Sequence, residues 1–238
     1  MMMMHSLPKL PEVTAAGAPL KPMPWVMLRR RATEHFEATP IPDTTLRTIL
    51  ELAGQAPSAY NLQPWRFIVV RTREDRARLR RVAHDQEKVG EAPVVVIAVG
   101  VTAAWRRDLD EVLREGARQG AGTTDDASIE RRKRAALDFL AGMRMDVWVN
   151  RHVMIAVTYM MLAAESYGID TAPMEGFDAE GVKREFGVPD EDEVVALLAL
   201  GIGRKPDKAF PGRFGLSKIV YDGQFGVPWQ GKKPRPVL

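Results

Sequence analysis

Apolar and polar positions along the chain fall into helix, strand and loop patterns that succeed one another. Leu46, Ile49, Leu50 and Ala53 share one helical face and predict a helix running from Asp43, a candidate N-cap, to about Gln55, with Pro57 as its stop. Trp65–Val70 is short, aromatic and β-branched and predicts a buried strand, and Val94–Val101 is apolar at almost every position, as a central strand would be. A charged helix is expected near Arg73–Ala83 and a short one through Arg29–Arg31. From Met145 to Tyr167 apolar side chains (Val147, Trp148, Val153, Met154, Ile155, Val157, Met160, Met161 and Leu162 among them) occupy nearly every side of a helix, which predicts burial all round, with Gly168 as the C′ stop. Asp178 is placed to cap a short helix through Phe186, and Val194–Ile202 reads as a third strand. Residues 103–142 are charged and helix-forming with a break near Gly120–Gly122, which predicts an inserted helical excursion.

The two ends differ from this middle. Residues 1–24 form a Pro-rich arm in which Pro8, Pro11, Pro19, Pro22 and Pro24 remove donors and fix φ. The segment from Arg204 to Leu238 is rich in Gly, Pro and basic residues and lacks the makings of a core, so it is expected to wrap around something. The expectation is therefore an arm, one domain over 25–238 carrying the excursion at about 103–142, and a C-terminal extension from about 204. Strands alternating with helices give an α+β or α/β class.

Composition narrows the function classes. With 45% hydrophobic and 27% charged residues, the 238-residue chain has the material for a folded core. It contains no Cys, which removes disulfides, thiolate metal sites and Cys nucleophiles. The 34 basic and 31 acidic residues interleave to a net charge of only +3, so strong steering of nucleic acid is not expected. The Arg71–Arg81 run is interrupted by acidic residues, and neither it nor Arg131–Arg134 has an aromatic platform. No uninterrupted apolar run reaches the roughly 18 residues of a membrane span, and Pro8 and Lys9 stand where a signal peptide needs apolar residues. No membrane association and a cytoplasmic location are expected.

Several chemistries lack their residues. His5, His35, His84 and His152 do not have metal-ligand spacing and read as surface or satisfied histidines; no nucleophile elbow, P-loop or Gly-x-Gly-x-x-Gly after a strand is present. A bound cofactor would have to supply the reaction. Three segments suit one. Arg29-Arg30-Arg31 offers guanidinium groups for a phosphate, although for this segment alone a solvated helix face is the better explanation. Ala56-Pro57-Ser58-Ala59-Tyr60-Asn61-Leu62-Gln63-Pro64-Trp65 packs hydroxyl and amide groups between two prolines and suits the edge of a planar heterocycle, or is a plain helix-to-strand turn. In Ala172-Pro173-Met174-Glu175-Gly176-Phe177 a glycine lets the backbone approach a ring closely, or is a loop glycine before an N-cap.

Taken in order, these segments resemble the nitroreductase-like FMN flavoproteins. The resemblance rests on Arg30-Arg31 then Phe36; Pro40-Ile41-Pro42; Ala56-Pro57-Ser58, Asn61 and Gln63-Pro64-Trp65; Glu91-Ala92-Pro93; Leu162-Ala163-Ala164 and Gly168; Pro173-Met174-Glu175-Gly176-Phe177; and Gly201-Ile202-Gly203. It covers about residues 28–225, and the Ala-Pro-Ser…Asn-x-Gln-Pro-Trp element is its most specific part.

The resemblance implies an α+β fold with a central mixed sheet wrapped by helices, in an intertwined homodimer with two FMN sites at the interface. It implies an NAD(P)H-dependent oxidoreductase working by a ping-pong route, with flavin N5 rather than a protein side chain carrying the chemistry and a small nitroaromatic or quinone as acceptor. A flavin carrier without fast turnover, or dehalogenation, enone reduction or flavin fragmentation, would use the same framework. By the same resemblance Arg30 and Arg31, with Ala32, grip the FMN phosphate; Pro57, Ser58, Ala59 and Asn61 reach the ring from the partner subunit; Gln86 takes a ring-contacting polar position; and Glu175 and Gly176 meet the N5 side. A late basic residue closes over the phosphate, Arg213 first and Lys205 second. Trp105, Arg106, Arg107 and Phe139 of the excursion are candidates for acceptor contact. Ala32 stands where the family often has Ser, and Glu34 where it often has a basic residue, so the phosphate contacts must differ in detail.

Overall fold

The computed structural model describes residues 17–103, 105–205, 209–229 and 231. The first part of the predicted arm, including Pro8 and Pro11, and the end of the tail lie outside them. The chain falls into two compact units, residues 1–207 and 208–238.

The first unit opens with α1 (Met23–Arg29), started by Pro22 and carrying Pro24 in its first turn, where a missing N–H costs nothing. It ends at Arg29, and Arg30 is already extended, so the helix expected through Arg31 is displaced toward the N-terminus. α2 (Asp43–Gly54) follows; Pro42 holds the cap position and Asp43 is its first residue, pairing with Arg71 at 2.6 Å instead of capping. Then come β1 (Trp65–Val70), α3 (Arg73–Val82), α4 (Glu87–Glu91), β2 (Val94–Gly100), α5 (Trp105–Arg118), α6 (Asp126–Ala141), α7 (Met145–Ser166), β3 (Asp170–Met174), α8 (Ala179–Phe186) and β4 (Glu193–Gly201). The strands expected at Trp65 and Val94 start there, and the Asp178 carboxylate caps α8 by accepting the Gly181 N–H. β3 was expected to be loop from Ala172 onward, and α4 was not expected; both are too short to show a period.

The strands form one sheet in the order β1-β2-β4-β3. Every neighbouring pair is antiparallel, and the mixed character expected of the sheet is confined to one parallel bridge, Ala32 to Thr171. Alternation along β2 divides the core. Val94, Val96 and Ala98 face a layer built on α2 and α7, while Val95, Ile97 and Val99 face α3 and α8. The excursion carries its own cluster: Leu109 and Leu113 of α5 and Ile129, Ala136 and Leu140 of α6 close on Trp148 and Val149 of α7.

α7 is long and apolar enough to cross a membrane by length and composition, yet 44% of its most apolar window is buried inside this fold. The expectation of burial on every side is corrected: Ile155 and Tyr159 are 37% and 41% exposed. Gly168, at φ +78°, turns the chain after it. The described part of the arm lies on this unit, with Leu20 against the core and the Lys21 N–H donating to Ser166 O.

In the second unit, α9 (Leu216–Ile219) is one turn, followed by a loop closed by a bridge between Tyr221 and Pro228. Phe210, Phe214, Leu216, Ile219, Phe225 and Trp229 are all exposed.

Candidate functional site

The first predicted segment lies along the free edge of β3. After α1, Ala32 bridges Thr171 and the Thr33 N–H donates to Thr171 O. The half-buried guanidinium of Arg30 donates to Arg31 O at 2.9 Å, and that of Arg31 donates to Leu28 O and Arg30 O, also at 2.9 Å. The two cations thus cluster on one short stretch of backbone beside β3, and Ala32 is exposed next to them. The strand continues into Glu175 and Gly176, both exposed.

Gln86 comes to the same place from the other side of the fold. His84 and Asp85, at φ 53° and 54°, make a left-handed turn between α3 and α4, and Gln86 follows at the cap of α4. Its Nε2 donates to Gly176 O at 2.8 Å. A Cβ built on Gly176 would meet no atom within 4 Å, so the backbone there faces open space. Arg30, Arg31 and Ala32 thus lie along the start of β3, and Gln86, Glu175 and Gly176 lie past its other end, five residues or roughly 16 Å of extended chain further on.

The segment carrying Arg30 to Ala32 is fixed from behind by Glu91. This carboxylate accepts the Phe36 N–H at 3.1 Å and pairs with His35 Nδ1 and the Arg204 guanidinium, each at 3.3 Å. Glu87 Oε2 lies 3.8 Å from the same His35 nitrogen, a juxtaposition invisible to sequence spacing. The Arg204 N–H in turn donates to His35 O, so Lys205, which follows it and is exposed, continues from this node. Arg213 belongs to the second unit, where its guanidinium sits 5.3 Å from the Phe210 ring and donates to Gly212 O.

Pro57, Ser58, Ala59 and Asn61 sit elsewhere, in the loop before β1. β1 and β3 are the two edges of the sheet, three strand spacings of ~4.8 Å or about 14 Å apart. Three residues of this loop that are not glycine have left-handed backbone: Tyr60 (φ 54°), Asn61 (57°) and Gln63 (46°). Each costs on the order of 1–3 kcal/mol and persists only where surrounding contacts impose it. Ser58 Oγ accepts the Gln63 N–H at 2.9 Å, Gln63 Nε2 donates to Asn61 O at 3.2 Å, and Leu62 is buried. The Ala59 N–H donates to Nε2 of His152 on α7 at 3.1 Å.

Two features of the excursion bear on this loop. The Phe139 ring of α6, 45% exposed, lies 5.8 Å from Tyr60, whose hydroxyl donates to Ala135 O at 3.4 Å. Trp105 is corrected as an acceptor contact: it is 1% exposed, with its indole N–H donating to Thr102 O and its ring 6.3 Å from Trp148. Arg106 stacks over that ring at 4.6 Å and, like Arg107, is exposed. Sequence reasoning passed over Tyr60 and classed His152 as a surface or satisfied residue; the Trp148–His152 spacing of one helical turn was the available hint.

Comparison with known proteins places the chain in a family. The family model described as the nitroreductase family matches residues 27–202. The chain is 34% identical over 194 residues to an NADH dehydrogenase of Thermus thermophilus, covering 81% of this chain and 92% of that protein. It is 29% identical over 212 residues to an oxygen-insensitive NAD(P)H nitroreductase of Enterobacter cloacae, covering 82% and 96%. Among solved structures, a nitroreductase of Exiguobacterium sibiricum in complex with FMN matches with a TM-score of 0.74 at 23% identity, over 84% of this chain and 96% of that one. An enone reductase of gut-bacterial fatty acid metabolism matches equally well, at 20% identity over 85% and 98%. From the last residues of α1 to the end of β4, the matched residues carry the whole sheet and both loops, and the chain belongs to the nitroreductase family.

Proposed function

We propose that this chain is an FMN-dependent oxidoreductase that takes two electrons from NAD(P)H and delivers them to a nitroaromatic, quinone or related small acceptor. The observation that carries the reading is the Gln86–Gly176 hydrogen bond, which joins a polar amide to an open glycine turn at the end of β3, the strand whose start is bridged by the Arg30–Ala32 segment. The donor set suits FMN: cations for one phosphate, a side-chain amide for a ring edge, and a backbone that a planar ring can approach closely. Bound FMN would supply the two-electron chemistry that no side chain here supplies. Arg30 and Arg31, with Lys205, would hold its phosphate, and Gln86, Glu175 and Gly176 would meet one edge of its ring.

Pro57, Ser58, Ala59 and Asn61 stand at the opposite edge of the sheet from that group. A homodimer resolves the separation, with the loop of one copy completing the site of the other. Exposed apolar side chains support such an assembly: Met27 at 63%, Leu28 at 73%, Tyr159 at 41% and, in the second unit, Phe225 at 87%. Tyr60 and Phe139 then form an aromatic wall for a planar acceptor.

The test is the absorbance spectrum of the purified protein, followed by steady-state NAD(P)H oxidation with a nitroaromatic or a quinone. Flavin bands and acceptor-dependent turnover are expected. A colourless protein that gains no bands on incubation with FMN would overturn the reading.

A further inference from the structure

We infer that His152 is the positioning residue of the Pro57–Gln63 loop, holding it in the strained shape in which it meets its ligand. The inference rests on the reading that this loop faces FMN.

The hydrogen-bond pattern fixes the tautomer. A backbone N–H only donates and a carbonyl only accepts. The Ala59 N–H lies 3.1 Å from His152 Nε2, and Trp148 O lies 2.8 Å from Nδ1. The proton therefore sits on Nδ1 and Nε2 is the acceptor. The ring is also held in place. It lies 4.5 Å from the Trp148 indole, tilted by 43°, and Trp148, 4% exposed, packs in turn near the buried Trp105. The imidazole thus presents one lone pair, in a fixed direction, to a loop 93 residues away in sequence.

What that lone pair holds is not relaxed backbone. The accepted N–H belongs to the residue immediately before Tyr60 and Asn61, both left-handed, with Gln63 left-handed beyond them. Ser58 Oγ and the buried Leu62 close the far side of the turn. Without the tie at Ala59 the near side has a route to relax toward right-handed backbone, which would turn Tyr60 and Asn61 in new directions. His152 itself sits on the central helix of the fold, so the loop inherits the rigidity of α7. The same link joins the loop to the excursion, since Trp148 and Trp105 belong to the cluster that seats α5 and α6.

His152→Phe keeps a ring over Trp148 but removes the acceptor, and His152→Gln offers a side-chain oxygen in its place. His152→Met, slimmer than Phe, serves if the Phe variant fails to fold. Two measurements are made on the full chain: hydrogen exchange at the Ala59 amide without added flavin, and the dissociation constant for FMN. Loss of the acceptor is expected to speed exchange at Ala59 and weaken FMN about two- to tenfold, with His152→Gln recovering most of both. Exchange at Ala59 unchanged in His152→Phe and His152→Met would overturn the inference, as would faster exchange with FMN affinity unaltered. If the parent protein binds no FMN, the functional reading fails, and amide exchange alone decides whether His152 holds the loop.

Discussion

Gly201, the last residue of β4, offers a perturbation whose size follows from the structure. A Cβ at this position would stand 2.7 Å from Cδ of Pro93 and 2.9 Å from Cδ1 of Phe36. Carbon contacts are comfortable at about 3.5–4.0 Å, so the alanine must push its neighbours back by roughly 0.8 Å. Neither yields easily. The Pro93 ring is fixed to the backbone entering β2. Phe36 is fully buried, its N–H held by Glu91 and its backbone bridged to Gly203. Forcing a methyl into such a place costs about 1–3 kcal/mol. For a chain of this size that is roughly 2–12 °C in melting temperature. The displaced residue lies at the end of the segment that carries Arg30 and Arg31, so flavin retention through dialysis should fall together with stability. Gly54→Ala is the matched control: its Cβ would meet nothing within 4 Å, and replacing a helical glycine should be neutral or stabilising by up to about 1 kcal/mol. Differential scanning calorimetry of both variants decides the matter. Gly201→Ala melting within a degree of the parent protein would refute the packing argument.

Mass spectrometry of the cofactor released on denaturation should find FMN and not FAD if, as proposed, Arg30 and Arg31 grip a single phosphate. Arg30→Ala should weaken FMN binding about ten- to a hundredfold, the worth of a charge-assisted hydrogen bond, as read by fluorescence titration. Light scattering should give twice the 26.5 kDa chain mass, and truncation before Ile219 should lower thermal stability and flavin content together. Asp125 caps α6, and its carboxyl is pulled from an ordinary 3.8 down to about 2, first by the Thr123 hydroxyl and then by the Ser128 N–H. Its depressed value means the stabilisation is fully present above the ordinary carboxylate range and is lost as pH falls through about 2. Asp125→Asn, which can still cap, should flatten the dependence of the urea midpoint on pH across that window.

The elements legible in the sequence were those whose period or punctuation is local. β2 announces itself because both its faces are buried, and α8 because an Asp cap precedes it and a left-handed glycine, Gly187 at φ +67°, ends it. β3 and α4 gave no such sign. β3 holds a proline, Pro173, and is defined by pairing with β4, whose partner residues lie 23 to 31 positions downstream, from Met174 with Leu197 to Asp170 with Gly201. Its strand character is a tertiary fact. α7 misled for a related reason. Its apolar residues cover more of the helix than one copy of the chain buries, so composition alone predicted burial all round while Ile155 and Tyr159 stay exposed. The excess is intelligible if a second copy covers that face, which makes the error informative about assembly.

The candidate site divides the same way. Residues whose chemistry is their own, such as Arg30, Arg31 and Ser58, stood out by type, and Gln86 stood out by its place in a family pattern. Residues whose role lies in holding others did not. Glu91 looks like one acid among 31, yet it fixes the segment between the arginines and β4 by taking the Phe36 N–H and pairing with Arg204. His152 reads as a surface or satisfied histidine and is half-buried, but its lone pair reaches a backbone N–H in a loop 93 residues away. Such residues act through direction, and direction depends on which atoms the fold brings within about 3 Å. A search for site residues by chemical type finds the groups that would touch a ligand. Finding the groups that aim them requires knowing which loops carry strain, here Tyr60, Asn61 and Gln63, and then asking what prevents each from relaxing.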